Sequence, residues 1–137
     1  MWKTIIHPRF GDTDALRHIN NVPLARWFEE ARNVIFEMAD VGAEINPETF
    51  PLIMAHTDYD FVSEMLFGHE IEVRSGISRI GTKSFTVYQE AWQRGALRAK
   101  GHAIIVHYDF KRRESTPLSG SLREKLSAHL VTENAAS

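Results

Sequence analysis

Cysteine is absent from the 137 residues, which removes disulfide frameworks, thiolate nucleophiles and cysteine metal sites together and leaves the redox compartment open. An excess of either charge is missing as well: 16 basic residues against 18 acidic ones give a formal net charge of −2. No global basic field therefore draws the chain onto nucleic acid or an anionic membrane, and neither partner is expected. No apolar run approaches the roughly 18 residues of a membrane span, and the opening M-W-K-T-I-I-H-P reaches Pro8 without an apolar region of signal-peptide length. The expectation is a soluble, cytoplasmic protein. A glycine-rich phosphate loop and a G-x-S-x-G nucleophile turn are also lacking, so P-loop phosphoryl transfer and α/β-hydrolase chemistry have no support. The seven histidines show no ligand-type spacing, and His102 and His107 fall on opposite faces of one predicted strand. A metal site is not expected.

What is present is the composition of one globular domain, 43% hydrophobic and 25% charged. At this length roughly 70% of the unfolded chain's surface can be buried, enough for one core and little besides. Residues 1–137 read as a single domain, with 132–137 as a frayed tail. Trp2 to Arg9 has β-branched character and ends at Pro8, which suits an edge strand. A helix is predicted to start near Asn21 to Pro23, with proline in the first turn and asparagine as cap, and to end near Val41 before Gly42. Leu24, Trp27, Phe28, Ala31, Ile35, Met38 and Ala39 fall on one stripe of it. On its outer surface, Arg26 with Glu30 and Glu29 with Arg32 are expected as solvated pairs. Shorter apolar runs follow at Leu52 to Val62, Glu70 to Arg79, Lys83 to Trp92 and Arg98 to Phe110, with glycine in each of the three turns between them. Helical spacing returns over Leu118 to Val131. The sum is α+β: an antiparallel sheet wrapped on one long helix.

The stretch with the densest chemistry is the loop before that helix, which holds Asp12, Asp14, His18, Asn20 and Asn21. Backbone N–H groups at a helix start have no partner within the helix, and the helix dipole adds partial positive charge there. Such a place stabilises a carbonyl oxygen as it becomes negative, and a nearby carboxylate attacks or activates water. Asp14 lies just far enough before the helix to do this without capping it. From the residues alone a second reading stays open, in which Asp12 and Asp14 fix the loop by hydrogen-bonding its backbone. His18, four residues from Asp14, suits either an acid–base pair or a loop hydrogen bond.

The run F-G-D-T-D-A-L-R-H-I-N-N-V-P-L-A-R-W-F-E-E-A-R, Phe10 to Arg32, resembles the signature of hotdog-fold acyl-CoA thioesterases of the 4-hydroxybenzoyl-CoA thioesterase type. The likeness continues through Asp60-Phe61 with Phe67-Gly68, through Arg79-Ile80-Gly81-Thr82-Lys83-Ser84-Phe85, and through Ala99 to Phe110 with Thr116-Pro117-Leu118. It covers nearly the whole chain.

The resemblance implies a hotdog fold and hydrolysis of an acyl-CoA thioester to the free acid and CoA, with no cofactor. It makes Asp14 the nucleophile or general base and places Asn21 where the family's backbone N–H donor to the thioester carbonyl lies. His18 completes the candidate catalytic set, and Phe61 is the candidate for the acyl pocket. Arg79, Lys83 and Ser84 fall where relatives contact CoA; an acyl carrier protein presents the same phosphopantetheine. A homodimer with sheets joined edge to edge, or a homotetramer of such dimers, is implied. Arg17 stands where glycine is usual and Pro23-Leu24 where the pair usually ends in tyrosine, which bears on the loop's path and the acyl pocket's shape. A hotdog enoyl-CoA hydratase, using Asp14 and His18, and a non-catalytic acyl-CoA-binding module are the alternatives.

Overall fold

The computed structural model describes residues 1–14, 18–19, 21–39 and 50–133. Five long strands are joined in the order β1-β3-β4-β5-β2: β1 Trp2–Ile6, β2 Leu52–Phe61, β3 Ile71–Ile80, β4 Ser84–Gln93 and β5 Ala96–Asp109. All neighbours run antiparallel. A two-residue strand that the sequence does not announce, β6 Glu114–Ser115, pairs with the end of β5. β1 and β2 are the outer strands of the path. Among the described residues no helix is long and apolar enough to cross a membrane.

Local chemistry explains the turns. β4 and β5 are joined by Arg94 and Gly95 alone, both at positive φ (52° and 76°), the conformation that a two-residue hairpin matching the strand twist requires. Gly101 on β5 allows close approach of β2: a Cβ there would lie 2.2 Å from the Asp58 carbonyl oxygen.

The apolar stripe on the central helix is buried as predicted, from Leu24 at 0% exposure through Trp27, Phe28, Ala31, Ile35 and Met38. The helix itself is not continuous. It forms α1, Val22–Ala31, and α2, Val34–Met38; the predicted end near Val41 and Gly42 lies outside the described residues. Between the two, Asn33, Ile35 and Phe36 donate to carbonyls three residues back, the tighter 3₁₀ pattern. The Trp2 indole N–H donates to the Ala31 carbonyl at 2.7 Å, satisfying one of the acceptors freed where α1 stops. Asn21 occupies the N-cap position, but its side chain makes no capping hydrogen bond, contrary to the sequence expectation.

Two further expectations are corrected here. Arg26 turns away from Glu30 and pairs with Asp12, Nη2 to Oδ1 at 2.9 Å. Arg32 is buried at 7% exposure rather than solvated; its Nη1 donates to the Gln89 side-chain carbonyl at 3.1 Å. Both guanidiniums find a fixed acceptor in the tertiary structure, which outweighs a solvated pair worth a few tenths of a kcal/mol.

The core has two parts. One gathers Leu24, Trp27, Phe28 and Ala31 of α1 over Ile71, Val73, Ala91 and Ala99. The other gathers Ile35 and Met38 of α2 with Phe85, Val87, Leu122 and Leu126. Leu122 and Leu126 come from the last helix, α3, Gly120–Ser127, shorter than the predicted Leu118 to Val131. It starts where the Ser119 hydroxyl accepts from the Leu122 N–H. Beyond it the chain bridges to β3, with Val131 donating to the Ile77 carbonyl and Ile77 to that of His129.

Candidate functional site

The loop before α1 is built by its aspartates, which divide the work. Asp12 is buried at 5% exposure and accepts from the Arg9 N–H at 2.8 Å and from Arg26 at 2.9 Å. Burial pushes its carboxyl up, but these donors outweigh burial and hold it below the ordinary carboxylate range. Asp12 thus ties a 3₁₀ turn, Phe10–Asp12, to the helix. It fixes the loop by these bonds.

Asp14 is exposed. Its backbone N–H donates to the His18 carbonyl at 2.9 Å, and its Oδ1 accepts from the His18 N–H at 3.2 Å. Ladder contacts continue from there: Thr13 bridges Ile19, His18 bridges Leu66, and the Ile19 N–H donates to the Met65 carbonyl at 2.9 Å. The loop is therefore laid against the connection between β2 and β3.

That connection is itself clamped. Gln93, at the end of β4 and 1% exposed, accepts from the Leu66 N–H at 2.9 Å and donates to the carbonyls of Leu66 and His69 at 2.8 and 3.1 Å. The Arg98 Nη1 donates to the Glu64 carbonyl at 2.9 Å, and the Ser63 hydroxyl to that of Leu97. Placement thus runs from sheet to connection to loop to Asp14.

A cavity of about 310 Å³ opens here, lined by Asp14, His18, Asn21, Phe61, Ser63 and Glu64 over Ile19 and Met65. Four of the residues singled out from sequence, Asp14, His18, Asn21 and Phe61, share this one space. Asn21 brings the N-terminus of α1 to it. Phe61 is 49% exposed, while Trp27 and Phe28 belong to the core. Leu24 is fully buried in that core, and neither Pro23 nor Leu24 lines the cavity. Arg17 lies outside the described residues.

Glu64 and Ser63 were not singled out from the sequence. The Glu64 Oε2 lies 3.4 Å from His18 Nε2, so His18 bridges a backbone contact with Asp14 and a carboxylate across the cavity. A glutamate just past a strand end carries no periodic signal, and only the loop's pairing with residues 65 and 66 brings it into place.

Arg79, Lys83 and Ser84 lie elsewhere. They flank the β3–β4 turn, where the Lys83 carbonyl accepts from the His107 N–H and the Arg123 guanidinium donates to the Gly81 carbonyl at 2.7 Å. The loop that holds Asp14 is tied through Leu66 to Gln93, at the other end of β4, and the ten residues of β4 span about 30 Å. The chain does not bring these residues to its own Asp14. Among the described residues no group of three or more His, Cys, Asp or Glu side chains is arranged to hold a metal.

The chain resembles known proteins along nearly its whole length. The sequence model of the thioesterase-like superfamily matches residues 8–126. Among solved structures, a predicted thioesterase from Bacillus stearothermophilus is 32% identical, superposes with a TM-score of 0.88, and is matched over 97% of this chain and 98% of its own. A thioesterase from Thermus thermophilus, solved in complex with coenzyme A and zinc, is 25% identical with a TM-score of 0.78 over 92% of both chains. Among curated sequences, the uncharacterized protein YsmA of Bacillus subtilis (strain 168) is 28% identical over 93 residues, 64% of this chain and 62% of its own length. The match therefore spans less than two thirds of that relative.

Proposed function

The chain belongs to the thioesterase-like superfamily and has its hotdog fold, and from that premise we propose that it hydrolyses an acyl-CoA thioester with Asp14 as the reacting carboxylate. The observation that carries the proposal is that Asp14 and the α1 N-terminus at Asn21 line one cavity. The thioester carbonyl oxygen faces the backbone N–H at Asn21, where the positive end of the helix dipole stabilises the developing negative charge. Asp14 then supplies the other half of the reaction. It attacks the carbonyl carbon, expelling CoA thiolate and leaving an anhydride for water to cleave, or it takes a proton from the attacking water. His18, held between Asp14 and Glu64, orients the carboxylate, and Phe61 contacts the acyl group. The thermophilic relative solved with coenzyme A supports the choice of thiol.

The CoA-binding assignment of Arg79, Lys83 and Ser84 requires a second copy. β2 is an outer strand whose Ile53 and Met54 are 41% and 43% exposed, and an open strand edge is a template for pairing. Joining two β2 edges antiparallel about a two-fold axis puts the Leu52 end of one against the Phe61 end of the other. The Leu52 end is the end that carries Lys83, since Leu52 pairs with His107 and His107 bonds to Lys83. In this homodimer, Asp14 of one protomer and the partner's Lys83 and Ser84 serve the same substrate.

The test is thiol release from short, long, aromatic and polar acyl-CoAs by wild type and Asp14→Asn, which keeps the shape and removes the ionised carboxylate. Turnover of one acyl class with a loss on the order of a hundredfold or more in the variant is the expected result. An equally active variant returns Asp14 to a loop-forming role. Hydration of enoyl-CoA in place of thiol release, lost with His18→Ala, would favour the hydratase.

A further inference from the structure

A second cavity, of about 230 Å³, lies between the junction of the two central helices and the start of β2. Its walls are apolar over most of their area, contributed by Phe36, Phe50, Ile53, Met54 and Ile105, with Arg32 among them. Phe36 and Phe50 meet edge to face at 5.6 Å. Arg32 is more than nine-tenths buried, and its fixed partners are neutral: the Gln89 side-chain carbonyl and the Tyr59 side chain. Gln89 is committed in turn, donating to the Phe28 carbonyl at 2.9 Å and the Ser75 hydroxyl at 3.1 Å. Among the described residues no carboxylate lies within ion-pair distance of the guanidinium. Glu29 also lines the cavity and its charge favours the guanidinium, but it is exposed, where water and salt screen that attraction.

A guanidinium stays charged at any working pH, and taking its charge out of water is costly unless an anion accompanies it. Burial opposes the charge here too, tending to lower the Arg32 pKa. The planar fork presents five donors, of which neutral acceptors take only some, and its geometry matches a carboxylate in two parallel hydrogen bonds. We infer that the Arg32 cavity binds the carboxylate end of a small apolar acid, with the head on Arg32 and the tail against Phe36, Phe50, Ile53 and Met54. At about 30 Å³ for each water-sized volume, the space takes about eight non-hydrogen atoms, the size of hexanoate.

The carboxylate has two sources. In the β2-to-β2 dimer proposed above, the partner's Ile53 and Met54 lie across from Phe61 beside Asp14. The far end of an acyl group that carries a second carboxylate then reaches this cavity; that source rests on the thioesterase reading. A separate free acid, including a released product, is the other, and it needs no turnover.

The experiment begins with binding. Hexanoate, hexanamide and hexanol are titrated by calorimetry into wild type, Arg32→Gln and Ile53→Trp, with chemical unfolding of each variant as a fold control. Hexanoate is expected to bind wild type at least about tenfold more tightly than either neutral isostere and to lose about that factor in Arg32→Gln. Ile53→Trp, which keeps the charge and fills the space, is expected to lose binding of all three with its oligomeric state, read by sedimentation, unchanged. Equal affinity for hexanoate and hexanol, hexanoate binding unchanged by Ile53→Trp, or no binding to wild type overturns the inference. A parallel comparison of adipyl-CoA with hexanoyl-CoA identifies the source. An advantage in kcat/KM for adipyl-CoA that Arg32→Gln abolishes assigns the site to the substrate's own end, and hexanoate binding without that advantage assigns it to a free acid. Failure of the thioesterase reading removes turnover of both thioesters and leaves the hexanoate titration intact.

Discussion

Replacing Gln93 tests whether the sheet positions the reactive loop. Its side chain makes three hydrogen bonds to the β2–β3 connection, to the N–H and carbonyl of Leu66 and the carbonyl of His69, from a site only 1% exposed. In Gln93→Leu, which keeps nearly the same volume, all three are lost. At about 1 kcal/mol net for each bond, the loss is about 3 kcal/mol, or about 10 °C in Tm for a domain of this size. Gln93→Glu separates hydrogen bonding from packing. It keeps the acceptor for the Leu66 N–H but turns the donor toward two carbonyls into a carboxylate oxygen, so it should destabilise at least as much as leucine despite its closer shape. Differential scanning calorimetry reads the stability. Steady-state kinetics reads the loop: Met65 and Leu66 carry the ladder to Ile19 and His18, and a shift of that ladder misplaces Asp14, with kcat falling on the order of tenfold or more. A Tm change under about 2 °C in both variants, or a glutamate variant more stable than the leucine one, would refute the clamp.

Two further predictions concern β2 and β5. On the partly exposed face, His102 Nδ1 lies 2.8 Å from Asp58 Oδ1 and its Nε2 contacts the Glu133 carboxylate. Burial pushes Asp58 up, but hydrogen bonds from His102 and His56 outweigh it and hold it below 3.8. Burial likewise pushes His102 down, and bonds to Asp58 and Glu133 outweigh it and raise it above 6.5. The depressed aspartate contributes above its ordinary pKa and loses that contribution as pH falls through the folded value. The raised histidine contributes below its ordinary pKa and loses it as pH rises through the folded value. The stability gap between wild type and His102→Gln, from urea unfolding, should therefore be largest between about pH 4 and 6.5 and shrink toward pH 9; a gap flat with pH is the contrary result. Gly101→Ala forces a Cβ to 2.2 Å from the Asp58 carbonyl oxygen, and should cost about 3 kcal/mol, seen as a lowered urea midpoint; an unfolding free energy within about 0.5 kcal/mol of wild type would show that β2 yields freely.

The elements whose burial follows a period were legible in the sequence. The stripe from Leu24 to Met38, and alternation such as Ile71, Val73 and Phe85, Val87, specify a helix against a sheet, because side-chain direction repeats every 3.6 or 2 residues. Residues whose partners are distant in sequence were not legible. Arg32 sits in E-E-A-R, a pattern that reads as solvated charge, and its inward turn depends on Gln89, 57 positions away. Asp12 and Asp14 look alike in the loop, and burial with bonds from the Arg9 N–H and the distant Arg26 sets the first apart. Glu64 entered the cavity only through strand pairing. That Lys83 lies beyond the far end of a strand of about 30 Å from Gln93 is invisible to a motif read along the chain, since a motif records residue types and spacing and not where the fold puts them.

The break at Arg32 and Asn33 divides the interior as well as the helix. α1 packs with one set of strand residues, near the loop that holds Asp14, and α2 and α3 pack with another, near the second cavity. Side chains in separate clusters act nearly independently on stability. On the proposed assignments, the end of the molecule with the second cavity can therefore be remodelled by substitution while the end that holds Asp14 keeps its geometry, so new selectivity and retained chemistry are compatible within one small domain.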